Sequence, residues 1–447
     1  MGKLFGTDGI RGVANSELTP ELALSVGRAV VTKLREDGVR RPAVLVGRDP
    51  RWSGELLEAA LVAGIAAAGG DAITVGVVPT PGLAYLTQRS DVAAGAMISA
   101  SHNPVGDNGI KVFAGDGYKL ADDDEDRLEQ LMGRDDLPRP TGTAVGRIVD
   151  DRRRTTAYVE HLVQAAEEDL TGLRLVVDAS NGAASTIAPL VYSRLGVDVA
   201  AVHCTPDGAN INAGVGSTHP EVITAAVGEH RADVGLAHDG DADRLIATTA
   251  HGDLVDGDII LAILAQARQK AGRLGGDRVV TTVMTNLGFK RSMQRLGIDV
   301  IETRVGDRYV LEAMRRHDVV LGGEQSGHII QLDEATTGDG VLTAVKLLSA
   351  MRQSGRSLAE LATVMERLPQ VLVNVAVADR SGLADADAVW ETVRSEEERL
   401  GDDGRVLVRP SGTEPVVRVM VEAETEDDAR AVADRIAAVV RSRLGEE

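Results

Sequence analysis

In the stretch ISASHNP, residues 98–104, a hydroxyl and an imidazole stand side by side as Ser101 and His102, where an apolar run ends. A serine beside a histidine first raises a hydrolase nucleophile. That chemistry uses Gly-x-Ser-x-Gly, whose glycines permit a strained strand-to-helix turn. Here Ser101 is followed by His102, Asn103 and Pro104. Pro104 has no N–H to donate and biases Asn103 away from helix. The spacing therefore predicts a rigid loop that holds a hydroxyl still while a group is attached to it.

The nature of that group is indicated further along the chain. Asp239, Asp241 and Asp243 alternate in DGDADR. Carboxylates at alternate positions of an extended loop converge on one side, and their mutual repulsion raises their pKa values unless a counter-ion is present. Mg²⁺ resolves this, because it prefers oxygen ligands and keeps positions for phosphate or water. An EF-hand needs glycine at the sixth loop position and glutamate at the twelfth, and Arg244 and Ala250 stand there instead. A solvated acidic turn is the remaining rival. The apolar residues Val234 and Leu236 just before the loop favour a turn held at a strand end.

Three more turns carry suitable groups. In RPSGTEP, residues 409–415, Arg409, Ser411, Gly412 and Thr413 offer a guanidinium, two hydroxyls and freed backbone amides to a phosphate, and Arg418 follows. In GGEQSGH, residues 322–328, Glu324 and Ser326 suit sugar hydroxyls. In GTDGIRG, residues 6–12, the glycines match neither a Walker nor a dinucleotide pattern, and Arg11 brings positive charge. Each turn taken alone is equally explained as an ordinary turn. Together, a held hydroxyl, a Mg²⁺ site and anion-binding turns point to phosphoryl transfer, which asks mainly for positioning and charge neutralisation. Ser101 is then a candidate phosphate carrier, and His102 and Lys111 are candidates for moving protons or screening charge.

These loops need elements to hold them. Strand-like runs at residues 43–49, 71–81, 173–182, 233–244, 278–286 and 318–328 alternate with helical patterns such as 54–70. That rhythm means βαβ units and a mainly parallel sheet. Ligands of such sheets gather at the carboxyl ends of strands, so several sheets can present loops to one cleft. The tail differs. Residues 405–424 read as two strands around a tight loop, and a helix follows from about Thr425 with Ala429, Val432, Ala433, Ile436, Val439 and Val440 on one face. The run DDDEDR, residues 122–127, reads as the solvated start of a helix.

The chain has 447 residues, too many for one ordinary core, and 43% are apolar. The net charge of −20 and an aromatic content of 2% oppose binding to nucleic acid or to an anionic membrane. An anionic substrate then requires basic groups gathered locally. Cys204 is the only cysteine, so a disulfide within the chain is excluded. No signal peptide or membrane-length apolar run is seen, and a cytoplasmic location is expected. A polar, Pro/Gly-rich stretch at 133–147, a weaker signal near 250–258 and the new strand that begins at 368–382 after the last long helix mark boundaries, giving expected segments of 1–150, 151–252, 253–368 and 369–447.

The motifs GTDGIRG, SASHNP with DNGIK, DGDADR, GEQSGH and RPSGTEP, in this order over nearly the whole chain, resemble those of the α-D-phosphohexomutases. Ala100, Gln325, VGDRYV (305–310) and TTGDG (336–340) resemble its bacterial phosphoglucosamine mutase branch. Arg304 stands where that branch is expected to have lysine. The resemblance implies four domains around a central cleft, three related α/β domains with mixed sheets and a smaller C-terminal α+β domain. It implies a phosphoserine at Ser101, which supplies an oxygen to Mg²⁺ together with Asp239, Asp241 and Asp243. Glu324 and Ser326 would fall on the sugar loop. Arg409, Ser411, Gly412, Thr413 and Arg418 would fall on or beside the phosphate loop, and Arg11, His102 and Lys111 near the transferring group. The implied reaction interconverts glucosamine 6-phosphate and glucosamine 1-phosphate through glucosamine 1,6-bisphosphate, toward UDP-N-acetylglucosamine. A phosphomannomutase/phosphoglucomutase is the nearest alternative, and a Mg²⁺-dependent sugar phosphatase a more distant one. Hexosamine phosphates are the expected partners. The oligomeric state is left open, a homodimer included.

Overall fold

The computed structural model describes residues 4–6, 8–411 and 415–445. The apolar runs form four sheets. The first holds β1 (Ile10–Val13), β2 (Ala43–Arg48), β3 (Asp71–Val77), β4 (Ala94–Ile98), β5 (Asp107–Ala114) and β6 (Ile148–Asp150), in the order β1-β5-β4-β2-β3-β6. The second holds β7 (Arg174–Asp178), β8 (Asp198–Val202), β9 (Val234–Ala237), β10 (Ile246–Thr249) and β11 (Leu254–Val255), in the order β11-β10-β9-β7-β8. The third holds β12 (Arg278–Thr282), β13 (Asp299–Thr303), β14 (Leu321–Gly323) and β15 (Ile329–Gln331), in the order β13-β12-β14-β15. The fourth is antiparallel, with β16 (Gln370–Ala376), β17 (Arg405–Pro410) and β18 (Val416–Glu422) in the order β16-β18-β17.

The first three sheets are mixed, where the strand–helix rhythm alone led to a mainly parallel sheet. Their centres are parallel: β2 pairs in parallel with β3 and β4, β7 with β8 and β9, and β12 with β13 and β14. In each sheet one strand then turns straight back. β5 returns on β4, β10 on β9 and β15 on β14, all antiparallel. The connections are too short for a crossover, so the returning strand must lie antiparallel beside its predecessor. Each connection carries a candidate site loop: residues 99–106, 238–245 and 324–328. The strands that lead into them are buried throughout, which holds the loops at the end of a rigid element.

Two local expectations are corrected. The strand read over 71–81 ends at Val77, and the helix Thr80–Arg89 starts there with Pro81 in its first turn. Proline is at home in that turn, where its missing N–H has no intrahelical partner to lose. The acidic run at 122–127 does open a helix, Asp122–Met132, but it is not merely solvated. Glu125 is buried and accepts from Arg308 Nη2 at 2.8 Å, and Arg308 also pairs with Asp122. A buried carboxylate is held only with such a partner.

The chain divides into two compact units, residues 1–283 with 299–363, and residues 284–298 with 364–447. The first carries the three mixed sheets. In the second, the fourth sheet and the helix Glu426–Leu444 share an apolar core that includes Val375, Val417, Val419, Val432 and Ile436. Thr425 caps that helix, its hydroxyl accepting from Asp428 N. The helix Leu287–Leu296 lies between β12 and β13 in sequence but belongs to the second unit. Ser292 Oγ donates to Val364 O, and Asn286 Nδ2 donates to Leu368 O at 3.0 Å. Among the described residues, no helix is long and apolar enough to cross a membrane.

Candidate active site

Ser101 opens the loop after β4 in a left-handed conformation, with φ at 52°. A non-glycine residue keeps that conformation only where its surroundings impose it. Arg51, wholly buried, does so from beneath. Its Nη2 donates to the carbonyls of Ser101 at 3.1 Å and Asn103 at 2.8 Å, and its Nε to Asp49 Oδ2 at 2.9 Å. Ser99 links the two layers, donating to Asp49 Oδ2 at 2.6 Å and accepting from Ser101 N at 3.0 Å. The Ser101 hydroxyl is thereby aimed at Asp239 Oδ2, 2.5 Å away. His102 Nδ1 lies 3.3 Å from the same hydroxyl oxygen. Burial, then Arg244 and Arg11, pull the His102 pKa down to about 4, so the ring is neutral at pH 7.

The three aspartates follow β9. Ala242 takes φ of 57°, and the oxygens of Asp239, Asp241 and Asp243 come within 4.8 Å of one another, all buried. One oxygen of each is occupied. Asp241 Oδ2 accepts from Thr80 Oγ1 at 2.6 Å and Lys111 Nζ at 2.9 Å, while Asp243 Oδ2 faces His328 Nδ1 at 3.5 Å. The other oxygen of each, Oδ1, is buried without a hydrogen-bond partner. Like charges 4.8 Å apart repel by roughly 3 kcal/mol per pair at an effective dielectric near 20. Three clustered carboxylates, each with a buried oxygen that makes no hydrogen bond, fit a hard divalent cation. Burial, then Asp243 and Asp241, push the Asp239 pKa well above the usual carboxylate range. Burial acts the same way on Asp243, but His328 overrides it and holds that carboxyl low.

A cavity of about 430 Å³ opens over these groups, lined among others by Arg11, Ser101, His102, Asp243, Arg244 and Glu324. Lys111 lies beneath, only 1% exposed, paired with Asp241 and with Asp8 at 3.0 Å. Burial opposes its charge, yet Asp241 and Asp8 raise its pKa, so Lys111 stays cationic. Glu324 accepts from Gly306 N at 3.1 Å, and burial raises its carboxyl pKa. Ser326 lies on the same turn, its Oγ buried without a hydrogen-bond partner. Arg304 stacks on Tyr309, 4.1 Å from the ring centroid. The first unit thus brings Arg11, Ser101, His102, Lys111, the three aspartates and Glu324 together.

In the second unit, Arg409 and Arg418 stand opposite each other on β17 and β18. Burial and the neighbouring Arg418 both lower the Arg409 pKa. Two facing guanidinium groups are mutually repulsive. Ser411 is buried, and its N–H donates to Val416 O at 2.9 Å. Gly412 and Thr413 lie outside the described residues.

Several groups around the site are not among the residues the motifs singled out. Asp8, Arg244 and His328 sit inside the quoted motifs, and their neighbours were the available signal. Thr80, Arg51 and Lys119 carry no local signal. Lys119 bridges Asp8 and Asp307 and is partly buried.

A hydroxyl aimed at a caged acidic cluster, at the ends of strands from mixed α/β sheets, with cations over and beneath it, defines a phosphoryl-transfer enzyme. Comparison with known proteins narrows this. The four models of the phosphoglucomutase/phosphomannomutase family match in order: α/β/α domain I at residues 2–139, domain II at 156–252, domain III at 256–368 and the C-terminal domain at 372–439. The chain belongs to this family. It is 55% identical over 441 residues to the phosphoglucosamine mutase of Saccharopolyspora erythraea, covering 98% of this chain and 99% of that protein. It is 54% identical over 452 residues to the phosphoglucosamine mutase of Streptomyces griseus, covering 100% of each. Among solved structures, it is similar to a phosphoglucomutase/phosphomannomutase family protein from Burkholderia thailandensis, with a TM-score of 0.83, 25% identity, and 98% and 97% of the two chains covered.

Proposed function

We propose that the chain is an isomerase that interconverts glucosamine 6-phosphate and glucosamine 1-phosphate by way of phospho-Ser101. The observation that carries this is the Ser101 hydroxyl, 2.5 Å from Asp239 in a cluster of three buried carboxylates, each with one oxygen that makes no hydrogen bond. Identity of 54–55% to phosphoglucosamine mutases over the whole chain supports the choice of sugar.

Phospho-Ser101 gives its phosphoryl group to the free hydroxyl of the bound sugar. The P–Oγ bond breaks as a P–O bond to the sugar forms, and glucosamine 1,6-bisphosphate results. The proton leaving the sugar hydroxyl goes to neutral His102, which passes it to the released Ser101 Oγ, 3.3 Å from its Nδ1, and the same route runs backward when Ser101 is rephosphorylated. The bisphosphate turns around, its other phosphoryl group returns to Ser101, and the isomeric monophosphate departs. Asp239, Asp241 and Asp243, with an oxygen of the phosphoserine, would hold Mg²⁺, which when bound neutralises charge on the transferring group. Lys111 stays cationic and keeps Asp241 oriented. Arg11 and Arg244 supply positive charge over the cavity. Glu324 and Ser326 contact sugar hydroxyls, and Arg409, Ser411 and Arg418 are the second unit's candidate phosphate-binding groups.

The test is a panel assay of purified phosphorylated chain on glucosamine, glucose and mannose phosphates, with mass mapping of Ser101. The expected result is the highest kcat/KM on glucosamine phosphates and a phosphate on Ser101. Wild-type-like isomerisation by Ser101→Ala overturns the carrier role. Release of inorganic phosphate without isomer overturns the mutase in favour of a phosphatase.

A further inference from the structure

We infer that Asn212 is a positioning residue for the transfer: its side-chain amide ties the Ser101 loop to the sheet that carries the aspartates. The inference rests on the phosphoserine reading above. Asn212 lies in the loop between β8 and the helix Pro220–His230, in the second sheet's part of the first unit. Its Nδ2 donates to Ser101 O at 2.8 Å and to Asn103 O at 3.0 Å. Two carbonyls can face only the NH₂ side of an amide, so the orientation of the group is fixed by chemistry. These are the same two carbonyls that Arg51 Nη2 reaches from the first sheet. The backbone on either side of His102 is therefore gripped from both sides, once by each of the parts that must cooperate.

The metal loop is built to admit this contact. A Cβ on Gly240 would lie 2.4 Å from Ser101 O and 2.8 Å from Asn212 Nδ2. Glycine at 240 is what lets the serine loop, Asn212 and the acidic turn meet. Asn212 itself takes φ of 55° and is anchored through its backbone, with its N–H donating to Ser180 O at 3.0 Å. Within its own loop, Gly214 N donates to Asn212 O at 2.9 Å. Both side-chain donors are directed at the serine loop instead.

The consequence follows from the strained conformation of Ser101. With φ at 52°, Ser101 is held by its surroundings rather than by its own preference. Releasing its carbonyl lets the peptide rotate and the hydroxyl leave its line toward Asp239. Transfer depends steeply on such alignment, while substrate contacts made elsewhere in the cavity do not. Asn212 thus makes the geometry of the carrier conditional on the position of the sheet that bears the aspartates. An amide does this without adding a charge that titrates.

The experiment uses the full chain as wild type, Asn212→Asp and Asn212→Ala. The aspartate is nearly isosteric but turns an oxygen toward both carbonyls, and the alanine guards against misfolding of the first variant. Phosphoryl transfer from labelled phospho-Ser101 to glucosamine 6-phosphate is followed in a single turnover, beside steady-state KM. Hydrogen exchange of the peptide spanning residues 99–107 is measured in metal-free, unphosphorylated chain. The expected result is a transfer rate lowered by at least roughly tenfold with KM within about twofold, and faster exchange confined to that peptide. Wild-type transfer or unchanged exchange in both variants overturns the proposal. A matching rise in KM with exchange faster throughout the chain also overturns it, in favour of a structural role. If the wild-type chain itself transfers no phosphate from Ser101, the phosphoserine reading has failed instead, and the exchange measurement still decides whether Asn212 holds the loop.

Discussion

At the scale of single residues, the site works by leaving chosen atoms unsatisfied. Asp241 has one oxygen fully engaged by Thr80 and Lys111 and the other left without a partner. Buried polar atoms are normally paired, so three adjacent exceptions in one turn mark a place for a ligand. Replacing Asp241 by Asn removes one charge and substitutes a donor for an acceptor. Asp241→Asn is expected to weaken Mg²⁺ binding at least roughly tenfold by calorimetry, since each ligand charge counts in such sites. The thermal shift that Mg²⁺ gives the wild type should shrink with it. An unchanged metal affinity removes Asp241 from the metal shell. The motif DGDADR was legible because alternate spacing directly encodes convergence. The roles of Thr80 and Lys111 as orienters were not, because they approach from residues more than 100 positions away.

Among elements, the three hairpin-like returns repeat one solution. A buried parallel strand delivers a loop, and an antiparallel strand takes the chain back. The second and third sheets of the first unit are tied in turn by charge. Glu167 accepts from Arg273 Nη1 at 2.7 Å and Lys346 Nζ at 3.0 Å, and Lys346 also pairs with Glu334. The hydrogen bond from Arg273, aided by Lys346, holds the Glu167 pKa down to about 2, against 4.5 ordinarily. A depressed carboxyl stabilises the fold above its unfolded pKa, and that contribution fades as pH falls toward the folded value. Glu167→Gln is therefore expected to be less stable than wild type at pH 7 by about 1 kcal/mol, the exposed part of the cluster being screened. The gap should narrow below about pH 4.5 and vanish near pH 2. Denaturant melts across that range check it, and a gap independent of pH refutes the linkage.

At the scale of the whole molecule, an acidic protein gathers local positive charge. The chain carries a net charge of −20, yet Arg11 and Arg244 line the cavity and Lys111 lies beneath it. A sugar phosphate is small enough to be governed by that local field, whereas a polyanion must meet the whole surface. Single-stranded DNA at about 50 mM salt is accordingly expected to show no binding by fluorescence anisotropy, where a basic channel would bind tightly. Saturable binding at micromolar concentration would contradict this.

The sequence by itself determined the chemistry of the loops and the alternation of strands with helices. Both are written in short-range spacing: three aspartates in five residues, a serine before histidine and proline, and the switch between strand and helix periods. Even the resemblance to a family of mutases rests on such local motifs. Only the tertiary structure decided which strands return antiparallel, that the helix Leu287–Leu296 belongs with the C-terminal unit, and that Arg51 and Asn212 bracket the carbonyls of Ser101 and Asn103. The physical reason is that a hydrogen bond between residues 111 positions apart imposes no periodicity on either segment. An asparagine in a polar loop looks the same in sequence whether its amide meets water or holds a distant turn.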